Sequence, residues 1–178
     1  NIPVIFLEDV SGYAPGSEQE RAGIVQAGRE LLDAIVDLRV PRITLIVRNA
    51  FGGAYCAWNS HHIGADFVFA LPSARIAVMG PAGRQFVYKD EYRRILSDHR
   101  QRLKEEIPEA DSATERDRAL AELTTRYERE LLNPDEALKL GSVSSLVMPG
   151  YSRKVLGNAL FYLLRHYRPE PLSGPQRE

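Results

Sequence analysis

The most informative segment of this chain reads RNAFGGAYC over residues 48–56 and directly follows the apolar run 43–47. An apolar run that ends in two adjacent glycines and continues as AYCAW predicts a strand, a tight turn and a helix. The first N–H groups of a helix lack intrahelical acceptors and carry partial positive charge. Without a Cβ, Gly52 and Gly53 let an anionic oxygen approach those amides. The segment predicts a cradle for a phosphate, carboxylate or enolate, with a plain tight turn as the alternative.

The bulk properties describe an ordinary globular chain. Its 178 residues are enough for one domain with a core, and 44% hydrophobic with 26% charged residues argue against disorder. A net charge of −1 gives no electrostatic basis for nucleic acid or a membrane as a partner. The single cysteine, Cys56, excludes an internal disulfide framework and favours a reducing compartment, so we expect the cytoplasm or a mitochondrial matrix.

Strand and helix patterns alternate along the first 80 residues. A buried strand is predicted over Val4–Glu8, and a capping box at Ser17 and Glu20 opens a helix with a long apolar stripe. Further strands are predicted over 42–47, 66–70 and 75–79. Short loops between alternating strands and helices favour an α/β fold with a largely parallel sheet. Because the chain enters a core strand near its first residue, we expect either a domain boundary or a cut from a longer polypeptide.

The second half begins with a long charged segment over about 89–132, which predicts solvated helices or an arm that packs on another subunit. Pro108 marks a break, and Ser112 with Glu115 fits a second capping box. A short helix is predicted from Asn133 to Gly141, followed by a strand near 143–148 and a last helix over 152–166. We expect the tail, 168–178, to be loose because it is rich in proline and charge.

Side chains typical of catalysts are scarce. The chain has no Gly-x-Ser-x-Gly segment, and His61 and His62 are sequence neighbours that form a poor metal pair, so no metal site is predicted. Glu8 and Asp9 at a strand end fit either a general base or turn formation. Backbone amides are therefore the main catalytic groups on offer. One such donor contributes about 2.7–4 kcal/mol where an oxyanion develops, which favours enolate or acyl chemistry.

Several segments, in order, resemble the carboxyl-terminal half of the biotin-dependent acyl-CoA carboxyltransferase β subunits. They cover nearly the whole chain and stop at the tail. They are LEDVSGYAPG at 7–16 with Gln19, Glu20, Gly23, Ile24 and Gly28, then VPRIT at 40–44, RNAFGGAY at 48–55, IAVMG at 76–80, LNP at 132–134, Gly141 and Met148-Pro149.

The resemblance implies a crotonase-like (ClpP/crotonase) fold, a spiral of ββα units with projecting helices. Residues 1–167 would form the carboxyl-terminal, biotin-side domain, with a helical insertion at about 89–132. In the family, the amides matching Gly53 and Ala54 stabilise the biotin enolate oxygen after carboxybiotin releases CO2. An acyl-CoA bound by the amino-terminal half, which is absent here, then receives the carboxyl group.

The resemblance also implies substrate contacts and partners. Gly12, Tyr13, Gly52, Tyr55 and Cys56 would contact biotin or substrate, with Cys56 at a position that tunes acyl-chain preference. The implied partners are an amino-terminal carboxyltransferase half, a biotin carboxylase, a biotin carrier and further copies of the chain in a homo-oligomer. The isolated half is expected to be inactive.

Three positions depart from the family pattern. Ser11 replaces a proline, Arg84 replaces an alanine, and Ser144 replaces an aspartate. The departures leave two alternatives open beside an acyl-CoA carboxylase. One is a biotin-dependent acyl-CoA decarboxylase, and the other is a degenerate, non-catalytic half that organises a carboxylase complex.

Overall fold

The computed structural model describes residues 1–105 and 108–169. Within these ranges the chain forms five strands and eight helices. The strands are β1 Val4–Val10, β2 Arg42–Phe51, β3 Phe67–Ala70, β4 Arg75–Ala77 and β5 Ser145–Leu146. The helices are α1 Ser17–Arg21, α2 Ile24–Val36, α3 Gly52–Ala57, α4 Arg84–Val87, α5 Lys89–Lys104, α6 Glu109–Leu131, α7 Pro134–Lys139 and α8 Ser152–His166.

The sheet has the order β1-β2-β3-β5, and every neighbouring pair on this path is parallel, while β4 pairs with β2. This confirms the predicted α/β fold with a largely parallel sheet. The chain divides into two compact units, one made of residues 1–76 with the chain from 134 onward, the other of 77–133.

Strands β1 and β2 are both longer than predicted. The predicted end of β2 at Val47 was wrong, since pairing continues until Val10 lies opposite Ala50, after an irregularity that follows Glu8. The Asp9 carboxylate accepts hydrogen bonds from the Arg48 side chain and from the Asn49 amide, at 2.9 and 3.1 Å. These polar contacts hold the two strand ends together where the apolar pattern has already stopped.

The two faces of the sheet are covered differently. One face packs Ile43, Leu45, Phe69 and Val147 against the apolar side of α8. The other carries the larger cluster, which includes Ile46, Val68 and Tyr55 of α3. Strand β1 lies at the edge of the sheet, and Leu7 is 69% exposed while its neighbour Glu8 is 3% exposed. The prediction of a buried strand over Val4–Glu8 was therefore wrong in part, because Ile5 and Leu7 are exposed in this chain while the acidic Glu8 is buried.

The predicted capping box at Ser17 was wrong. Ser17 is the first residue of α1, Gly16 is the N-cap, and no side chain caps the helix. The single predicted helix is interrupted before Ile24, because Gly23 has φ of 87°, a left-handed conformation that ends α1 and lets α2 begin.

The second unit contains the helices α5 and α6. The predicted break at Pro108 is confirmed, but the predicted capping box at Ser112 was wrong because α6 already begins at Glu109. Ser112 is 1% exposed inside the helix, and its hydroxyl lies 2.7 Å from His99 Nδ1 of α5. Ser112 therefore joins two helices instead of starting one.

The predicted elements after residue 132 are largely confirmed. Helix α7 follows Asn133, and α8 has the predicted bounds, 152–166, although β5 is only two residues long.

Strands β3 and β4 are also shorter than predicted, and the Asp66 carboxylate accepts a hydrogen bond from the Arg42 amide at 2.7 Å. Of the tail predicted to be loose, 170–178 lie outside the described residues.

Candidate functional site

The strand-to-helix turn predicted at the glycine pair is confirmed. Phe51 ends β2 in an extended conformation, with φ of −118° and ψ of 135°, and it is the N-cap of α3. Gly52 follows with φ of 63°, which a residue with a Cβ adopts at a cost. By helix geometry, the N–H groups of Gly52, Gly53 and Ala54 have no intrahelical acceptor. The turn thus presents three consecutive amide donors at one helix end.

The surroundings of the turn are open on one side. Gly53 is exposed, and a Cβ added to it would meet no atom within 4 Å. Ala54 is 2% exposed, so its methyl group packs into the protein while its amide belongs to the same first turn. The space beside the Gly53 backbone is therefore open.

A cleft of about 560 Å³ adjoins this turn. Its walls come from the loop before α1, from α1 and α2, from α3 and from the following loop. The lining residues are Tyr13, Ala14, Pro15, Gly16, Glu20, Ile24, Val25, Gly28, Arg29, Leu32, Gly53, Cys56, Ala57 and Ile63. The lining is mainly apolar, and its charged members are Glu20 and Arg29.

The cleft brings together only some of the predicted site residues. Tyr13, Gly53 and Cys56 line it, and they come from two separate segments of the chain. Gly12, Gly52, Ala54 and Tyr55 are not among the lining residues. Gly12 has φ of 121° in the loop before α1.

Sequence reasoning missed the wall that α2 contributes to this cleft. Val25 and Leu32 line the cleft, although the apolar stripe predicted for this helix consists of other residues, namely Ile24, Ala27, Leu31, Ile35 and Leu38. Val25 is 73% exposed. The signal that could have identified this wall is that α2 carries apolar residues on a second face, beside its main apolar stripe.

Tyr13 reaches the cleft by packing on helix α2. A Cβ added to Gly28 would lie 3.1 Å from the Tyr13 hydroxyl oxygen and 3.2 Å from two of its ring carbons. Glycine at this position therefore allows the aromatic ring to lie against the helix backbone. This explains a glycine inside a helix, where it otherwise lowers stability.

Cys56 and Tyr55 are neutral groups in this site. Burial, and then the nearby Glu8 carboxyl, raise the pKa of the Cys56 thiol. Burial also raises the pKa of Tyr55 to about 12, with Glu8 and Cys56 as smaller causes. The Tyr55 ring packs in the larger core cluster, and its hydroxyl lies 3.5 Å from the Ser142 carbonyl oxygen.

The two acidic residues at the end of β1 have opposite environments. Asp9 pairs with Arg48 at 2.7 Å, and its hydrogen bonds to Arg48 and Asn49 lower its pKa. Glu8 is buried, neither carboxyl oxygen has a hydrogen-bond partner in the described structure, and burial raises its pKa to about 8. Asp9 is thus a structural group, while Glu8 is an acid that stays protonated at neutral pH.

One departure from the family pattern has a local explanation. The Ser144 hydroxyl lies 2.9 Å from His61 Nε2 and accepts a hydrogen bond from the Val68 amide at 3.1 Å. Ser144 thereby connects the chain before β5 to strand β3 and to the loop after α3. His61 is occupied by this contact, and no group of three or more possible metal ligands occurs within 1–105 and 108–169.

The crotonase-like fold implied by the resemblance is confirmed, because the solved structures that this chain matches are crotonase-fold carboxyltransferases. The chain belongs to the carboxyl transferase domain family, which matches residues 1–173. No helix of the part that the structure describes is long and apolar enough to cross a membrane.

Relatives with solved or curated descriptions agree with this assignment. A solved transcarboxylase 12S subunit, described as a hexamer assembly with hydrolysed methylmalonyl-coenzyme A bound, is 32% identical with a TM-score of 0.73, over 98% of this chain and 30% of that chain. A putative propionyl-CoA carboxylase beta chain of Bacillus subtilis is 37% identical over 96% of this chain and 30% of its own length. A methylmalonyl-CoA decarboxylase subunit alpha of Propionigenium modestum is 38% identical over 89% of this chain and 28% of its own length.

The chain spans about a third or less of the length of these relatives. Their substrates and assemblies are therefore properties of longer proteins.

Proposed function

We propose that this chain is the carboxyl-terminal, biotin-side domain of an acyl-CoA carboxyltransferase. The observation that carries the proposal is the glycine turn into α3, where Gly53 lines an open cleft and Ala54 follows it in the first turn of the helix. Membership of the carboxyl transferase domain family supports it. The reaction moves a carboxyl group from carboxybiotin to the α-carbon of an acyl-CoA.

The residues at the cleft suit a small, uncharged ring system next to an oxyanion. Carboxybiotin, when bound, supplies the carboxyl group. The Gly53 and Ala54 amides would donate hydrogen bonds to the oxygen that gains negative charge as this group leaves. Cys56 lines the cleft as a neutral thiol because its pKa is raised, so it adds no negative charge near that oxygen.

Tyr13 would provide an apolar wall on the other side of this cleft. Its ring is fixed against Gly28, and it is 43% exposed. A ring that packs on a helix surface would exclude water from one side of a bound ligand. Gly12, Gly52 and Tyr55 would act less directly, by shaping the loop before α1 and the turn into α3.

The complete activity needs partners that this chain does not contain. The proposal includes an amino-terminal carboxyltransferase half that binds the acyl-CoA, a biotin carboxylase, a biotin carrier and a homo-oligomer, and the chain alone is expected to be inactive. The hexamer and bound coenzyme A derivative described for transcarboxylase 12S support this part. The single, free cysteine supports a cytoplasmic location.

The test is reconstitution. The chain would be assembled with an amino-terminal carboxyltransferase half and given carboxybiotin with a series of acyl-CoA thioesters. Acyl-CoA-dependent release of free biotin is the expected result, and its absence with every acyl-CoA would contradict the proposal. Running the assay from carboxylated acyl-CoA and biotin separates a carboxylase from a decarboxylase.

A further inference from the structure

Glu8 is buried beneath the proposed catalytic helix. It is 3% exposed, and both carboxyl oxygens lack a hydrogen-bond partner within the described residues. Glu8 lies opposite Ile46 in the sheet, so its side chain points toward the larger core cluster, which contains Ile46 and Tyr55. Cys56 packs against the same cluster and also lines the cleft. The Glu8 carboxyl is close enough to Tyr55 and Cys56 of α3 to act electrostatically on both.

The charged groups on the adjoining strand β2 are occupied elsewhere. Arg48 pairs with the Asp9 carboxylate on the exposed side of the strand ends. The Arg42 guanidinium donates to the carbonyl oxygens of Ile63 and Gly64, at 3.1 and 2.7 Å. Neither cation compensates a charge on Glu8.

The helices on this side offer no compensation either. Residues 52–57 of α3 carry no charged side chain, and the titratable groups there are Tyr55 and Cys56. On α2, Arg29 pairs with Asp33, and Glu30 accepts a hydrogen bond from Gln26, all at the exposed surface. An ionised Glu8 would thus be an unpaired charge in an apolar environment, which is strongly unfavourable.

Ionisation of Glu8 would affect the proposed site through helix α3. The first turn of α3 holds the Gly53 and Ala54 amides, and its fifth residue is Cys56. Ionisation of Glu8 would favour any rearrangement that brings its carboxylate into contact with water, and loosening of the contact between α3 and β1 is one such rearrangement. The carboxylate would also add negative charge beside the helix whose amides hold an oxyanion.

We propose that Glu8 is a positioning residue of the carboxyltransferase site, which holds α3 in place only while its carboxyl group is protonated. It touches no substrate and acts through α3. The role in activity rests on the proposed function. The link between Glu8 and the position of α3 does not, and this allows the two to be tested separately.

The test compares pH profiles in the complete, assembled enzyme. Burial raises the pKa of Glu8 to about 8, so the wild-type kcat should decline above that pH, about tenfold for each further pH unit. Glu8→Gln keeps the size of the side chain and cannot ionise, so this decline should shift to higher pH. Glu8→Leu is the second variant, since it needs no hydrogen-bond partner if the buried amide prevents folding. Asp9→Asn, on the exposed side of the same strand, should leave the shape of the profile unchanged.

A second readout follows α3 directly. Amide hydrogen exchange of residues 52–57, corrected for the intrinsic pH dependence of exchange, should show protection that is lost above pH 8 in the wild type and kept in Glu8→Gln. Equal protection and equal pH profiles in wild type and both variants would overturn the proposal about Glu8. An enzyme without carboxyl transfer at any pH, in which exchange still depends on Glu8, would overturn the proposed function alone.

Discussion

Two buried polar groups, one in each compact unit, have opposite surroundings. Ser112 of α6 is 1% exposed and lies in a complete hydrogen-bond network with His99, whose Nε2 accepts from Arg116 at 3.3 Å. Glu8 of β1 is 3% exposed, and its carboxyl oxygens have no hydrogen-bond partner among the residues that the structure describes. Ser112, a buried group with hydrogen-bond partners, joins two helices, whereas Glu8, a buried acid without them, makes the stability of its unit depend on protonation. The unsatisfied group is in the unit that contains the cleft.

The largest expected effect is on the pH dependence of stability. Glu8 has a folded-state pKa of about 8, above its ordinary value of 4.5. Between pH 4.5 and 8 the Glu8 carboxyl is therefore protonated in the folded state and ionised in the unfolded state. The contribution of Glu8 to the free energy of unfolding is therefore fully present below pH 4.5 and is lost as pH rises to 8. The free energy of unfolding of the wild type should fall relative to Glu8→Gln by about 1.4 kcal/mol per pH unit in this window.

Urea unfolding at several pH values measures this difference. Above pH 8 the difference between the two proteins should stay constant. If the free energies of unfolding of the wild type and of Glu8→Gln changed equally with pH from 4.5 to 8, burial of Glu8 would have no effect on stability and the contrast with Ser112 would be wrong.

The second effect concerns the satisfied group. Ser112→Ala removes the oxygen that contacts His99 Nδ1 and leaves that ring nitrogen unpaired, so the free energy of unfolding should fall by about 1–3 kcal/mol. Thr125→Ala is the matched control on the same helix, since its exposed hydroxyl bonds only to the Ala121 carbonyl. Carboxyl transfer should not change in either variant, and a selective loss of activity in Ser112→Ala would place chemistry in the second unit.

The smallest effect concerns the cleft wall. Gly28→Ala removes a helical glycine, which favours the helix by at most about 1 kcal/mol. The new methyl group would crowd the exposed Tyr13 ring and displace it, so affinity for the biotin substrate should fall in titration calorimetry. Gly157→Ala in α8 has open space around the new methyl group and is the control for helix propensity. Unchanged affinity in Gly28→Ala would show that the position of Tyr13 does not matter.

The parts of the fold that were predictable from the sequence rest on local patterns. The glycine pair gave the turn into α3, Asn133-Pro134 gave the start of α7, and the apolar periodicity of residues 152–166 gave α8. Each depends on neighbours within a few positions along the chain. The resemblance to a family added the crotonase fold, which composition and periodicity did not provide.

The parts that were missed depend on contacts between distant segments. The extension of β2 to Phe51 requires Asp9, about 40 positions earlier, and the role of Ser112 requires His99 on another helix. The left-handed Gly23 divides one predicted helix into two, α1 and α2. The burial of Glu8 could not be read from its neighbours, because Leu7 would be expected inside before an acid. At the site, Gly53 and Cys56 were predicted beside the cleft, but the α2 wall was not.

The most direct test of the central claim removes one donor from the turn. Gly53→Pro in the reconstituted enzyme lacks the backbone N–H at this position, and proline is tolerated in the first turn of a helix. Gly53→Ala keeps the amide, and its methyl group meets open space, so it measures the effect of the side chain alone. If the Gly53 amide stabilises the oxyanion, kcat for carboxyl transfer should be about 100- to 1000-fold lower in Gly53→Pro than in Gly53→Ala, with circular dichroism unchanged. Equal kcat values in two equally folded variants would contradict the account.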